Sequence, residues 1–91
     1  MELEWDTQKA DSNLKKHGVS FQEAALVLGD TLSITYHDPD HSVREYRFIT
    51  VGTSRSGKVL MVAHTDRGDQ IRIISARKAT RQERRYYEEG K

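Results

Sequence analysis

The chain has 91 residues, 35% hydrophobic and 32% charged, with one proline, six glycines, no cysteine and a net charge of +1. Such a length suits one domain with a single core, and the missing cysteine excludes a disulfide framework, a thiolate metal site and a catalytic thiol. No run has the length of a membrane span, and the acidic opening Met-Glu-Leu-Glu-Trp-Asp is unlike a signal peptide, so a cytoplasmic protein without membrane contact is expected.

In chain order, Leu3 and Trp5 alternate with acidic residues and predict a short edge strand. Asp6 is a good N-cap for a helix over 7–17, with Ala10, Asn13, Leu14 and His17 on one face and Trp5 stapled onto Ala10. Gly18 supplies its left-handed end. Ser20 and Glu23 fit a capping box, and Phe21, Ala24, Ala25 and Leu28 recur at helical spacing until Gly29-Asp30. From Leu32 the period becomes two, predicting strands over about 32–37, 45–52, 58–65 and 69–75. Thr80 and Glu83 open a last helix that ends at Gly90. The expected fold is α+β: a short N-terminal strand, two helices, a four-stranded antiparallel meander and a C-terminal helix, all in one domain over residues 1–91. The helices are expected on one face of the sheet, leaving the other free for function.

The apolar stretch from Gly57 to Ala79 reads as the central hairpin, and its turn decides which side chains meet. A two-residue Arg67-Gly68 loop would set His64 opposite Ile71, but it asks arginine for a positive φ. A three-residue Asp66-Arg67-Gly68 loop, with Gly68 left-handed, suits the residue types better. It pairs His64 with Gln70 and Val62 with Arg72, making His64 and Arg72 diagonal neighbours on one face. Ile71 and Ile73 then join Met61 and Ala63 on the other.

Charge is distributed unevenly. Residues 1–43 carry three basic and eight acidic side chains, residues 44–87 eleven and four, so the halves stand at −5 and +7. A basic second half suggests a positive surface for phosphate, unless the arginines are merely solvated. His64, Arg72 and Arg77 are residue types suited to cutting RNA without a metal. Histidine moves protons near neutrality, and the planar guanidinium holds the charge of a phosphorane. His17 reads first as a helix-terminal residue bonding free carbonyls, and one of Tyr86 and Tyr87 as packing, the other as a base-stacking or phosphate-binding group. His37, Asp38, Asp40 and His41 could ligate a metal, but around Pro39 they read better as a polar turn. No metal or cofactor is expected.

Glu4-Trp5-Asp6, Lys9, Asn13-Leu14, Lys16-His17-Gly18-Val19-Ser20-Phe21 and Glu23-Ala24, with Arg72-Ile73-Ile74-Ser75-Ala76-Arg77-Lys78-Ala79, Glu83 and Tyr87, resemble the BrnT family of ribonuclease toxins across nearly the whole chain. The resemblance implies a RelE-like toxin fold, metal-independent endoribonuclease activity on RNA and growth arrest in a bacterium. It also implies a BrnA-like ribbon-helix-helix antitoxin, through which alone promoter DNA is contacted. On that reading Arg72 and Arg77 stabilise the transition state and His64 transfers the proton, with Tyr87 or His17 as its substitute. Lys9, Lys16, Arg47 and Arg84 are further candidates for the RNA backbone. The alternative is a non-catalytic nucleic-acid or partner-binding module that uses the same basic face.

Overall fold

A computed structural model describes residues 2–38 and 46–90. Strand β1 (Glu2–Glu4) leads into helices α1 (Thr7–His17) and α2 (Phe21–Leu28), strands β2 (Ile34–His37), β3 (Arg47–Thr53), β4 (Val59–Arg67) and β5 (Gln70–Lys78), and helix α3 (Arg81–Glu89). The strands form one sheet in the order β1-β5-β4-β3-β2. β2 to β5 make the expected antiparallel meander, and β1 joins as a fifth strand, parallel to β5.

The helix ends follow from local chemistry. Asp6 Oδ1 accepts from the Gln8 and Lys9 N–H groups at 2.8 and 3.3 Å, answering two of the free donors of the first turn. Lys15, Lys16 and His17 sit in the last turn, where the helix dipole favours positive charge. Gly18 then takes φ +71°, and its N–H donates to Leu14 O at 2.8 Å. At α3 the capping box is complete between Thr80 and Glu83.

Two apolar clusters flank the sheet. Val19, Phe21, Ala24 and Val27, from α2 and the turn before it, bury Leu60, Val62, Ile73 and Ala76 on one face, with Trp5 and Ala10 packed around them. Trp5 stands edge-on to Phe21 at 6.0 Å between centroids. On the opposite face Tyr87 of α3 packs with Ile49, Val51, Met61 and Ala63. The helices therefore do not share one face as expected: α1 and α2 cover one, and α3 covers part of the other. Helix α1 also turns differently on the sheet. Asn13, not Leu14, is its buried residue, and Leu14 remains 50% exposed.

The central hairpin departs most from expectation. Its loop is Gly68-Asp69, with Arg67 opposite Gln70 and Gly68 at φ +63° in the first central position, as a type II′ turn requires. His64 accordingly pairs with Ile73, and Thr65 with Arg72. The expected register is out by three residues, an odd number, and with a side-chain period of two an odd slip exchanges the faces. His64 and Arg72 thus lie on opposite sides of the sheet, and Ile73 faces away from Met61 and Ala63. Beyond His64 the register shifts: Ala63 pairs with Ser75, so Ile74 is an extra residue in β5, a β-bulge.

Candidate nucleic-acid interface

The α3 face of the sheet can be laid out from the pairing. One row across the strands runs Glu4, Arg72, Thr65, Arg47, from β1 to β3. The next runs Ser75, Ala63, Ile49, Tyr36, from β5 to β2, and a third runs Arg77, Met61, Val51, Ile34. Helix α3 packs over the third row and, through Tyr87, on Ile49 and Ala63 of the second, so the accessible part of this face is at Arg72, Arg47, Ser75 and Tyr36 around the buried Thr65, Ile49 and Ala63. Arg47 and Arg72 flank the buried Thr65 from its two neighbouring strands, about 10 Å apart at their backbones. Thr65 donates its hydroxyl to Tyr46 O, which ties it down beneath them.

Arg77 meets the first turn of α3. Its Nη1 and Nη2 donate to Glu83 Oε1 and Oε2 at 2.8 and 3.0 Å, a bidentate fork, and Nη1 also donates to Lys78 O at 3.1 Å. Glu83 is thereby shared: the carboxylate that caps α3 by accepting from Thr80 N–H also fixes Arg77. Burial alone would raise the Glu83 pKa, but the hydrogen bonds from Arg77 and Thr80 outweigh it and hold the carboxyl below its ordinary value. Arg77 is pushed the other way, chiefly by the same hydrogen bonds, and stays charged. A guanidinium has five N–H donors, so Arg77 keeps its Nε–H and one Nη2–H for a ligand. Arg72 Nη1 donates to Glu4 Oε1 at 3.3 Å, and Arg67 lies 3.8 Å from the same oxygen.

Tyr36 comes in from the edge strand β2 and was not singled out in the sequence as a site residue. Its ring touches Tyr86 of α3 edge-on at 6.4 Å between centroids. Together with Glu83, Arg81, Arg85 and Tyr86 it lines a groove between β2 and α3. Burial, and then the nearby Glu83 carboxylate, raise the Tyr36 phenol above its ordinary value, while Arg77 lowers it. Its only sequence signal is its place in the alternation of β2, which had to be joined to the register before it could point anywhere.

The other expected site residues lie elsewhere. His64 is 6% exposed on the α1/α2 face, stacked on Phe48 at 5.9 Å, with Nε2 in a 2.7 Å hydrogen bond to Thr50 Oγ1. Its Nδ1 is buried without a hydrogen-bond partner among the described residues, and burial lowers its pKa despite the nearby Asp66 carboxylate. Tyr87 is buried under α3, donating its hydroxyl to Asp30 Oδ2 at 2.7 Å and sharing a 2.8 Å hydrogen bond with Thr53. Lys9, Lys16 and His17 are exposed on α1, and Arg84 is exposed on α3. Of the expected set, Arg47 and Arg72 lie in the first row of this face and Arg77 in the third, beside α3. Of the possible metal loop, Asp40 and His41 lie outside the described residues. Among those described, no three His, Asp or Glu side chains cluster.

A family model described as ribonuclease toxin, BrnT, of type II toxin-antitoxin system matches residues 5–83. The chain belongs to the BrnT family. No curated protein matches it. Among solved structures, the 1.1 Å crystal structure of the Brucella abortus ribonuclease toxin BrnT aligns with a TM-score of 0.65 and 23% identity, over 89% of this chain and 99% of that one. At that identity the likeness establishes a shared α+β BrnT fold. The family is one of ribonuclease toxins from type II toxin–antitoxin systems, which makes RNA the substrate class and an antitoxin the partner. No described helix is long and apolar enough to cross a membrane.

Proposed function

We propose that this BrnT protein is a metal-independent endoribonuclease that cuts RNA on the α3 face of its sheet and arrests bacterial growth in the cytoplasm. The observation that carries the reading is that Arg47, Arg72 and Arg77, from the two strands on either side of β4, share one face of the sheet. Guanidinium groups pair with phosphate bidentately and remain charged throughout. In the reaction the ribose 2′-oxygen attacks the adjacent phosphorus, and Arg72 and Arg77 bind the charge that develops on the phosphorane oxygens. Arginine, tyrosine and hydroxyl groups dominate the accessible part of this face, a donor set for phosphate rather than for a divalent cation.

A BrnA-like ribbon-helix-helix antitoxin is the proposed partner. It would neutralise the toxin by covering this basic face and would supply the contacts to promoter DNA. The test is incubation of purified protein with end-labelled RNA in EDTA. Discrete products ending in a 2′,3′-cyclic phosphate are expected, with Arg72→Ala and Arg77→Ala each slowed about 100- to 1000-fold, the scale of losing one transition-state donor. Cleavage that needs an added divalent ion, or that survives both substitutions in folded protein, would overturn the reading.

A further inference from the structure

The reaction above also needs a proton for the departing 5′-oxygen, and arginines that stay charged are poor donors. Among the described residues on the α3 face, most protic groups are committed. Thr65 donates to Tyr46 O, and Tyr87 donates to Asp30. Glu83 and Glu4 accept hydrogen bonds from arginines as carboxylates. The Ser75 hydroxyl is no more acidic than the alcohol it would have to serve. His64, the obvious proton carrier by residue type, is on the far face of the sheet.

Tyr36 remains. It stands in the same row as Ala63 and Ser75, about 14 Å from Ser75 across three strand spacings, on the face that carries Arg72 and Arg77. Between Tyr36 and Ser75 lie Ile49 and Ala63, each 8% exposed and packed with Tyr87 and Ile74. At 39% exposure the tyrosine is open to a ligand yet held at its edge by Tyr86. It lines one groove with Glu83, the carboxylate that fixes Arg77 by a bidentate fork.

Resting on the ribonuclease reading, we propose that Tyr36 is the catalytic acid that protonates the leaving 5′-oxygen. As the 2′-oxygen gives its proton to water and forms the new bond to phosphorus, the P–O5′ bond breaks and its electron pair takes the Tyr36 hydroxyl proton. The phenolate then recovers a proton from water, so the enzyme ends unchanged. The transfer runs downhill, because a phenol is more acidic than an alcohol near the ~16 of water. Burial and Glu83 keep the phenol protonated at neutral pH.

The experiment compares two RNA oligonucleotides cut at one mapped site, one normal and one with sulfur replacing the bridging 5′-oxygen at that site. A thiolate leaves without protonation, so only the normal substrate needs the acid. Tyr36→Phe keeps the ring contact with Tyr86 and is expected to melt like wild type. It should lose about 100-fold or more on the oxygen substrate and cut the sulfur substrate at nearly the wild-type rate. Tyr86→Phe should resemble wild type on both. An equal loss on the two substrates, no loss at all, or the selective loss appearing in Tyr86→Phe instead would overturn the role of Tyr36. Wild-type protein that cuts neither substrate would overturn the ribonuclease reading itself, and this role with it.

Discussion

Asn13 shows how much one polar side chain can hold. Its amide donates to Val19 O and Ala76 O at 2.9 and 2.8 Å and accepts from Ala76 N–H at 3.0 Å, joining α1 to β5 and to the turn before α2. Asn13→Ala would leave those backbone groups buried and unpaired, so a loss of about 3 kcal/mol is expected. In a domain this small that corresponds to a fall of roughly 12–24 °C in Tm, read by calorimetry. His64 acts on stability through pH. Its folded pKa is lowered, so above its ordinary value of about 6.5 it is neutral in both states and contributes no pH dependence. Below that the unfolded chain takes up the proton more readily, and stability falls as pH drops towards the folded value. Glu83, with a lowered carboxyl pKa, adds a second loss at still lower pH, as protonation breaks its hold on Arg77. Urea midpoints at pH 7 and pH 5 should therefore separate for wild type and converge for His64→Gln. At this scale the sequence was a partial guide. It pointed to His64 and Arg72 as neighbours on one face, but a histidine's chemistry does not reveal which side of a strand it occupies.

The elements were legible wherever short-range chemistry decides them. Asp6, Gly18, Ser20, Thr80 and Glu83 act within four residues of where they stand, and all three helices lie where those signals put them. The hairpin was not legible, because Gly68 permits a left-handed residue at more than one place in a loop and each place gives another register. Nor could spacing alone assign α3 to its own face, since a helix with one inward tyrosine carries little apolar signal. The packing between elements is tight at Gly52 of β3. A Cβ there would lie 3.0 Å from Ser33 Cβ and 3.1 Å from both Asp30 Oδ2 and Val27 Cγ1. Gly52→Ala is expected to cost about 1–3 kcal/mol by forcing α2 and the loop before β2 off the sheet, measured by denaturant unfolding. Asp30 is a poor place for that strain to go, because its carboxylate also receives Thr53 N–H and the Tyr87 hydroxyl.

For the molecule as a whole, three of the eleven basic residues of 44–87, Arg47, Arg72 and Arg77, share one face of the sheet. Three phosphate contacts to single-stranded RNA predict a slope of about −2 when log affinity is plotted against log salt. With Arg72 and Arg77 both changed to alanine the slope should shrink by about 1.4, measured by fluorescence anisotropy with a non-cleavable 2′-deoxy oligonucleotide. Charge counting gives these arginines no location on the fold, which depends on five strands in register. That dependence has a particular hinge at Ile74. Arg72 and Arg77 are five positions apart, and along an uninterrupted strand an odd interval would send them to opposite sides. The unpaired Ile74 restores an even count. Substitutions at Ile74 change one side chain, whereas its deletion changes the parity of everything between it and the turn. Arg72 would then swing to the helix-covered side, or the hairpin would have to re-pair. The lineage can therefore vary the identity of residue 74 far more freely than the length of β5, and insertions or deletions between Arg72 and Arg77 should be survived only in pairs.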